Sequence, residues 1–338
     1  MIQVENLVKK YNVRPVVNNL TFTVDKGQIY GFLGPNGAGK STTMNIMTGY
    51  IAASSGTVII NGYDILKEPE KAKQCIGYLP EIPPLYTDMT VMEYLLFVAE
   101  LKKVPKRERH SHVDKIIKMV HIEDVMSRLI RNISKGYKQR VGLAQALIGD
   151  PEVLILDEPM VGLDPKQIIE MRELIKSLAK EHTIILSSHI LSEVSAVCDH
   201  ILIISDGKLA ASGSPQDLQE MMHGRSELEV VVMGSKEQVE EVIKTVDGVI
   251  SYEIYDAGES DSVRILIHAQ EDEDMRKPFS LAMSGAGLPI LSMNRIEKSL
   301  EDIFLELTNS ETVSPDNMES GIEKTIEEKE EADNGSDL

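Results

Sequence analysis

A glycine-rich loop between an apolar strand pattern and a helix pattern restricts the fold of this chain more than any other feature. The segment Gly34–Ser41 reads GPNGAGKS, and it follows the apolar run QIYGFL and precedes STTMNIMTGYI. This is the spacing of a phosphate-binding loop, or P-loop, in the strand–loop–helix context that such a loop requires. Its glycines let backbone N–H groups turn inward around phosphate oxygens, and the helix N-terminus adds partial positive charge.

Two side chains complete this predicted nucleotide site. We expect Lys40 to neutralise the β- and γ-phosphates, and the hydroxyl oxygen of Ser41 to bind Mg²⁺. The other residues of the loop that are predicted to bind nucleotide are Asn36, Gly37, Ala38, Gly39 and Thr42.

A pair of carboxylates follows a later strand pattern. Asp157 ends the apolar run VLILD, and Glu158 is the next residue. An aspartate at the carboxyl end of a parallel strand beside a P-loop can bind Mg²⁺ through its water shell. Glu158 points in a different direction and can position or deprotonate an attacking water. Solvated acids are common at strand ends, but the upstream P-loop favours the catalytic interpretation.

Strand and helix patterns alternate along the chain and predict an α/β fold with a mostly parallel, helix-covered sheet. Helical periodicity dominates residues 91–148, which predicts an all-helical insertion. The later segment HILIISDGKLAASG predicts a hairpin turned by Asp206 and Gly207.

The same patterns predict two folded domains and a tail. A boundary near Met222–Ser226 ends the first domain, at residues 1–222. Residues 226–308 follow the βαββαβ order of a small ferredoxin-like domain, whose last helix is SLEDIFLELT. Residues 309–338 contain ten acids and two lysines and no periodic apolar face. They are predicted to be a disordered tail, either solubilising or regulatory.

The composition argues against several classes of function. A formal net charge of −19 disfavours a nucleic-acid partner held by phosphate neutralisation. No stretch reaches the roughly 18 apolar residues of a membrane helix, and the start MIQVENLVKKYN lacks the apolar region of a signal peptide. The two cysteines, Cys75 and Cys198, indicate neither a disulfide framework nor a metal site. We therefore expect a soluble protein that acts at a membrane only through partners.

The order of the motifs resembles that of the ATP-binding-cassette (ABC) ATPases over about residues 1–220. Residues Ile133–Tyr137, ISKGY, are similar to the signature of that family, commonly Leu-Ser-Gly-Gly-Gln, and Gly162–Pro165 are similar to its D-loop. The resemblance implies a P-loop ATPase core in which the parallel sheet is joined by an antiparallel β-subdomain and a helical subdomain.

The resemblance also implies roles for further residues. Ser134 and Gly136 would face the γ-phosphate held by a second subunit, with Asp164 at the dimer seam. His189 corresponds to the switch histidine that contacts the γ-phosphate, and Tyr11 to an aromatic residue that packs against adenine. Tyr11 can also be interpreted as a core residue at a strand edge.

Three positions depart from the family pattern. Lys135 and Tyr137 replace the usual Gly and Gln of the signature, and Lys135 either adds charge near the opposite phosphate or is simply solvated. Glu81 stands where the family usually has a glutamine that reaches toward Mg²⁺ and the transmembrane partner. Glu81 is a candidate catalytic residue and metal ligand, although its charge would crowd Asp157 and Glu158.

The resemblance implies an ATPase subunit that uses ATP and Mg²⁺, dimerises around two ATP molecules and powers a separately encoded integral membrane permease. A homodimer at the cytoplasmic face of the cell membrane is the expected form. The segment after residue 220 is similar to the accessory C-terminal domain of exporter-type subunits, so export is the expected direction. Residues Pro83–Leu96 are the expected permease-docking surface, although their apolar side chains can equally be core. The alternatives are a soluble ABC ATPase that acts on ribosomes or another assembly without transport, and a small-molecule kinase.

Overall fold

The computed structural model describes residues 1–220, 227–258, 261–269 and 275–296. Up to residue 220 the strands are β1 (Ile2–Tyr11), β2 (Arg14–Val24), β3 (Ile29–Leu33), β4 (Ser55–Ile60), β5 (Tyr63–Asp64), β6 (Ile76–Leu79), β7 (Val153–Asp157), β8 (Thr183–Ser188), β9 (His200–Ser205) and β10 (Lys208–Gly213). The helices are α1 (Lys40–Met47), α2 (Pro69–Gln74), α3 (Val91–Leu101), α4 (Arg109–Met119), α5 (Lys135–Leu147), α6 (Pro165–Leu178), α7 (Leu191–Ser195) and α8 (Pro215–Glu220). Within the described ranges, no helix has the length and apolar character needed to span a membrane.

A six-stranded sheet at the centre of residues 1–220 has the order β10-β9-β3-β8-β7-β6. The strands from β9 to β6 pair in parallel, and β10 pairs antiparallel with β9. Every residue of β3, β7 and β8 is buried, as expected for parallel strands that helices and a second sheet cover on both faces. The predicted parallel, helix-covered sheet is confirmed.

The register of these strands determines which residues meet at the carboxyl edge of the sheet. Leu33 of β3 pairs with Ser188 of β8, and Asp157 of β7 pairs with Ser187 of β8. The segments that follow β3, β7 and β8 therefore begin side by side at this edge. This is how residues more than a hundred positions apart come to share one site.

A four-stranded antiparallel sheet, with the order β2-β1-β4-β5, packs beside the central sheet. Buried side chains of this sheet, including Leu7 and Leu20, belong to one apolar cluster with Met44 of α1 and Phe32 of β3. This second sheet is the antiparallel subdomain that the resemblance implied.

The β9–β10 hairpin connects the two sheets near the P-loop. The predicted hairpin is present, and Asp206 and Gly207 have positive φ angles of 45° and 77°, as in a type I′ turn. The N–H of Gly207 donates to the carbonyl of Ala38 at 3.1 Å, and its carbonyl accepts from Asn18 at 2.8 Å. A Cβ on Gly207 would lie 2.5 Å from the carbonyl oxygen of Val16. Glycine is therefore required here by space as well as by backbone conformation.

The predicted helical insertion contains α3, α4 and α5. A capping box begins α3, since Thr90 Oγ1 accepts from the N–H of Glu93 and the Glu93 carboxylate accepts from the N–H of Thr90. Buried side chains of the three helices, among them Leu95, Ile116 and Leu143, share one apolar cluster with side chains of the central sheet. The helical subdomain is thus fixed to the sheet by a common core.

The remaining described strands are β11 (Glu227–Met233), β12 (Val249–Asp256), β13 (Ser262–Ala269) and β14 (Ile290–Ile296), and the helices are α9 (Lys236–Ile243) and α10 (Arg276–Gly285). Their antiparallel sheet has the order β12-β13-β11-β14, an arrangement found in ferredoxin-like folds. Val230 and Ile265 of the sheet pack with Val239 of α9 and Phe279 of α10. The predicted boundary at residues 222–226, the predicted helix SLEDIFLELT and the tail at 309–338 lie outside the described residues.

Candidate functional site

The P-loop lies between β3 and α1 and packs closely against neighbouring backbone. Gly37 and Gly39 have φ angles of 86° and 103°, which residues with a Cβ rarely adopt. A Cβ on Gly39 would lie 2.7 Å from the carbonyl oxygen of Val16, and a Cβ on Gly34 would collide with the carbonyl of Ile204. The glycines therefore allow both the turn of the loop and its close packing.

Lys40 is held inside the P-loop. Its side chain is 6% exposed, and Nζ donates to the carbonyl oxygens of Gly34 at 2.7 Å and Pro35 at 3.3 Å. Glu158 Oε1 lies 3.8 Å from Nζ. Burial lowers the pKa of Lys40, and the neighbouring carboxylates, Glu158 first, act in the opposite direction. The loop thus keeps an ammonium group where a phosphate oxygen can take the place of its carbonyl partners.

Asp157 is buried at the end of β7, and one of its oxygens accepts two hydroxyl hydrogen bonds. Ser187 donates to Asp157 Oδ1 at 2.5 Å, and Ser41 donates to the same oxygen at 3.3 Å. The N–H of Glu158 donates to Ser187 Oγ at 2.9 Å. The P-loop serine and the strand-end aspartate therefore meet, as the sequence predicts.

Glu158 lies between two nitrogen-bearing side chains. Its carboxylate oxygens are both 3.1 Å from His189 Nδ1, and one of them is 3.8 Å from Lys40 Nζ. The Glu158 side chain is 9% exposed and that of His189 is 41% exposed. A carboxylate in this position can act as a base toward a water molecule in the adjoining cleft, while the histidine fixes its orientation.

Lys40, Glu158 and His189 line a cleft of about 250 Å³, which we call the nucleotide cleft, whereas Asp157 lies beside it and lines a larger neighbouring groove. The nucleotide cleft is lined by Val16, Asn36, Gly37, Gly39, Lys40, Ser41, Thr42, Glu81, Glu158, Val161 and His189. The structure therefore brings together residues that the sequence predicted from four separate motifs. Of the other predicted P-loop residues, Ala38 is buried in an apolar cluster and does not line the cleft. Sequence reasoning missed Val16 and Val161, because an apolar residue beside a motif has no chemical signal of its own.

Comparison with known proteins identifies the family. The family model described as ABC transporter matches residues 17–161. Bacitracin transport ATP-binding protein BcrA of Bacillus licheniformis is 36% identical over 93% of this chain and 99% of its own length. Linearmycin resistance ATP-binding protein LnrL of Bacillus subtilis is 33% identical over 91% of this chain and 98% of its own length. The chain belongs to the ATP-binding proteins of ABC transporters.

Solved structures agree with this assignment. A structure described as the ATP-binding subunit of an ABC transporter is 32% identical, with a TM-score of 0.60, and the match covers 65% of this chain and 92% of that one. The protein is therefore an ATPase.

The ATPase has two signature residues, Ser134 and Gly136, that lie outside its own nucleotide cleft. Ser134 caps α5, because its Oγ accepts the N–H of Tyr137 at 3.4 Å. The D-loop residue Asp164 caps α6 in the same way, by accepting the N–H of Gln167 at 2.9 Å. A Cβ on Gly136 would lie 2.6 Å from Gln167 Oε1. The signature therefore lies against the first turn of α6, the helix that follows the D-loop.

The two unusual signature residues have different surroundings. The Tyr137 hydroxyl donates to Asp124 Oδ2 at 2.5 Å, and this hydrogen bond raises the pKa of Tyr137. Lys135 is exposed, and its Nζ lies against Gly162 of the D-loop, so that a Cβ on Gly162 would collide with it. Lys135 is therefore solvated and in contact with the D-loop, and its predicted effect on the opposite phosphate stays a prediction.

Tyr11 lies at the end of the β1–β2 hairpin, outside the lining of the nucleotide cleft. Its side chain is 51% exposed, and Lys9 Nζ is 5.3 Å from its ring centroid. The alternative interpretation of Tyr11 as a core residue is wrong, since half of the side chain remains accessible.

A larger groove of about 950 Å³, which we call the lateral groove, adjoins the nucleotide cleft. Its lining includes Tyr50 and Ile82, which are 80% and 82% exposed. Glu81 lines both the groove and the cleft. In the segment expected to dock a permease, Pro84 and Tyr86 are exposed, whereas Leu85, Met89 and the inner face of α3 pack against the core. Part of the expected docking surface is therefore core.

The contact between Lys135 and Gly162 leads to a stability prediction. Gly162→Ala should lower the free energy of unfolding by about 2 kcal/mol, because a Cβ at φ 71° is strained and also meets the lysine. Adding Lys135→Ala, which alone should change stability by less than about 0.5 kcal/mol, should restore about 1 kcal/mol of the loss. Chemical denaturation of the four proteins measures this coupling.

Gly149→Ala is the matched control, because Gly149 has a φ of 89° and a Cβ there meets Lys102 only at 3.8 Å. Gly149→Ala should lower the free energy of unfolding through backbone strain, and adding Lys135→Ala should restore none of this loss. Strictly additive effects of Gly162→Ala and Lys135→Ala would show that the two residues do not touch.

Proposed function

We propose that this ATPase forms a homodimer around two ATP molecules and powers a separately encoded permease, at the cytoplasmic face of the cell membrane and in the direction of export. The observation that supports the dimer most strongly is the position of the motifs. Lys40, Glu158 and His189 line one cleft, whereas Ser134 and Gly136 lie outside it. The names of the relatives, for bacitracin transport and linearmycin resistance, support a transporter that removes a compound from the cell.

We assign each half of the site a distinct task. The backbone of Asn36–Gly39, with Lys40 and Thr42, binds the phosphates of ATP. Glu158 accepts a proton from the attacking water, and His189 holds the Glu158 carboxylate and contacts the γ-phosphate. The exposed ring of Tyr11 stacks on the adenine.

The oxygen atoms of Ser41 and Asp157 fit a Mg²⁺ ion that binds with the nucleotide. The Ser41 hydroxyl and Asp157 Oδ1 are 3.3 Å apart, and Mg²⁺ prefers such oxygen ligands. When bound, Mg²⁺ would stabilise negative charge on the phosphates. Glu81 is the proposed additional ligand and catalytic residue, from its place on the cleft lining.

In the proposed dimer, each chain completes the site of its partner. The N-terminus of α5, capped by Ser134, is a second anion-binding device. We place Ser134 and Gly136 against the γ-phosphate held by the other subunit, with Asp164 at the seam between the subunits. The contact of Lys135 with Gly162 keeps its ammonium group at the same seam.

The lateral groove is the proposed docking site for the permease. Its exposed apolar side chains, Tyr50 and Ile82, lie in one groove with two lysines, Lys73 and Lys102. An intracellular helix with apolar residues would complement this surface if its acidic side chain lay near the lysines and away from Glu81 and Asp157, which line the same groove. Glu81 lines both groove and cleft, so an occupant of the groove would reach the edge of the ATP site.

Glu158→Gln tests the assignment of the base. The substitution keeps the shape of the side chain and removes its ability to accept a proton, so kcat should fall by at least about 100-fold. ATP binding should persist, and size-exclusion chromatography with ATP should show a more stable dimer. Glu152→Gln, at an exposed position before β7, is the control and should hydrolyse ATP normally. Near-normal turnover by Glu158→Gln would remove Glu158 from its role.

Mixed dimers test the shared site. Lys40→Ala and Ser134→Arg chains should each be inactive alone, because every site of either homodimer lacks one half. An equal mixture should recover about a quarter of the wild-type rate, since half of randomly formed dimers have one intact site of two. Mixtures of Lys40→Ala with Glu158→Gln are the control. Both changes fall in the same half-site, so every site of the mixed dimer contains one of them, and the rate should not exceed that of Glu158→Gln alone. An inactive mixture of Lys40→Ala and Ser134→Arg chains would contradict the proposal that each site is shared between two chains and works independently.

Affinity purification from detergent-solubilised membranes tests the partner. The tagged ATPase should recover an integral membrane protein, and Ile82→Asp should reduce this recovery because it places a charge in the apolar part of the groove. Leu281→Asp, at an exposed apolar position of α10, is the control and should not change it. Recovery of ribosomes in place of a membrane protein would favour the alternative of an ATPase that acts without transport.

A further inference from the structure

Ser187 is a buried hydroxyl that touches both acids of the ATP site, and the roles proposed above do not include it. It is fully buried on β8, and it pairs in register with Asp157 on β7. Its Oγ donates to Asp157 Oδ1 at 2.5 Å and accepts the N–H of Glu158 at 2.9 Å. One side chain is therefore bonded to the carboxylate of the first acid and to the backbone of the second.

The two hydrogen bonds of Ser187 depend on each other. A serine hydroxyl has one proton to donate and lone pairs to accept. Because that proton points to Asp157, the lone pairs are left for the N–H of Glu158. Rotation of the hydroxyl would break one bond and misalign the other, and in a buried site each lost partner has a cost. The hydroxyl thus fixes both the orientation of the Asp157 carboxylate and the direction of the peptide that follows it.

The backbone of Glu158 makes this support important. Glu158 has a φ of 48°, in the left-handed region that residues with a Cβ rarely adopt. The bond from its N–H to Ser187 holds the peptide that produces this conformation. That conformation places the Glu158 carboxylate 3.1 Å from His189 Nδ1 and 3.8 Å from Lys40 Nζ.

The neighbouring serine has a different function. Ser188 donates to Glu193 Oε2 at 2.8 Å and accepts the N–H of Ile190 at 3.1 Å. Successive residues of a strand point to opposite faces, so Ser188 supports the start of α7, whereas Ser187 faces the acids.

We propose that Ser187 is a positioning residue for ATP hydrolysis. Its hydroxyl sets the Asp157 carboxylate toward the metal bound with ATP, and it fixes the Glu158 peptide so that the Glu158 carboxylate faces the attacking water. This inference rests on the proposed roles of Asp157 and Glu158. Ser187 itself touches neither ATP nor water in this role.

Ser187→Ala tests the proposal through metal binding as well as turnover. Titration of Mn²⁺ into the full-length protein with a non-hydrolysable ATP analogue, followed by electron paramagnetic resonance, should show affinity weakened by about 10- to 100-fold. The kcat for ATP should fall by a similar factor, whereas binding of the analogue in EDTA should stay within about twofold, since the P-loop is unchanged. Ser187→Thr, which keeps the hydroxyl, should restore most of both losses.

Thr183→Val is the matched control. Thr183 lies at the other end of β8, is 2% exposed, and its Oγ1 accepts the N–H of Gly27 at 3.0 Å. The control removes a buried hydroxyl from the same strand and should lower the melting temperature without changing Mn²⁺ affinity. If Ser187→Ala does not fold, Ser187→Cys, which has nearly the same shape and a weak hydrogen-bonding group, provides the same comparison.

The outcomes separate this inference from the proposed function. Wild-type Mn²⁺ affinity and kcat in folded Ser187→Ala would overturn the inference, as would an equal loss in Thr183→Val. Weakened Mn²⁺ binding in Ser187→Ala, together with normal hydrolysis by Glu158→Gln, would confirm the contact with Asp157 and remove only the role of Glu158.

Discussion

The parallel pairing of β7 with β8, and of β8 with β3, is the constraint on which the rest of the site depends. Residues at matching positions of these strands are Asp157 with Ser187 and Leu33 with Ser188. Because side chains alternate between the faces of a strand, a slip of one residue would turn Ser187 away from Asp157. The buried apolar residues of all three strands oppose such a slip, since it would exchange their positions in two tightly packed cores. The packing of the two apolar cores thus fixes the position of Ser187 relative to Asp157.

Much of this arrangement was predictable from local patterns. Three motifs lie at the ends of strand patterns, namely the P-loop, the two acids at the end of VLILD and the histidine after TIILSS. Parallel strands bring their carboxyl ends to one edge of the sheet. The Asp206-Gly207 turn was predictable because two positive φ angles in a two-residue hairpin favour that pair. Ser187 and Val16 were not predictable, because their roles depend on which strand lies beside them, and no local pattern in a single sequence encodes that pairing.

The expected docking segment also shows the limit of prediction from local sequence patterns. A run of apolar residues after Glu81 indicates a surface or a core equally well, and the structure divides it, with Leu85 and Met89 half-buried against the core and Tyr86 exposed. The lateral groove includes Pro84 of this segment, but it is also formed by residues from α1, β6 and α5 that are far apart in the chain. Its exposed apolar residues, such as Tyr50 in a helix-to-strand connection, resemble ordinary loop residues in the sequence. Only the assembled fold shows that they share one concave surface.

The contact between the signature and the D-loop connects the two half-sites of one chain. Only three residues separate Glu158 from Gly162, and Gly162 lies against Lys135 at the start of α5. Further along, Arg140 of α5 donates to Glu170 of α6 at 2.6 Å, so the two helices are joined at more than their first turn. Both ends of this segment are therefore held, since Glu158 is bonded to Ser187 and Gly162 is in contact with Lys135. A glycine at position 135 has no side chain with which to make this contact, so the departure from the common signature adds a contact between the start of α5 and the D-loop.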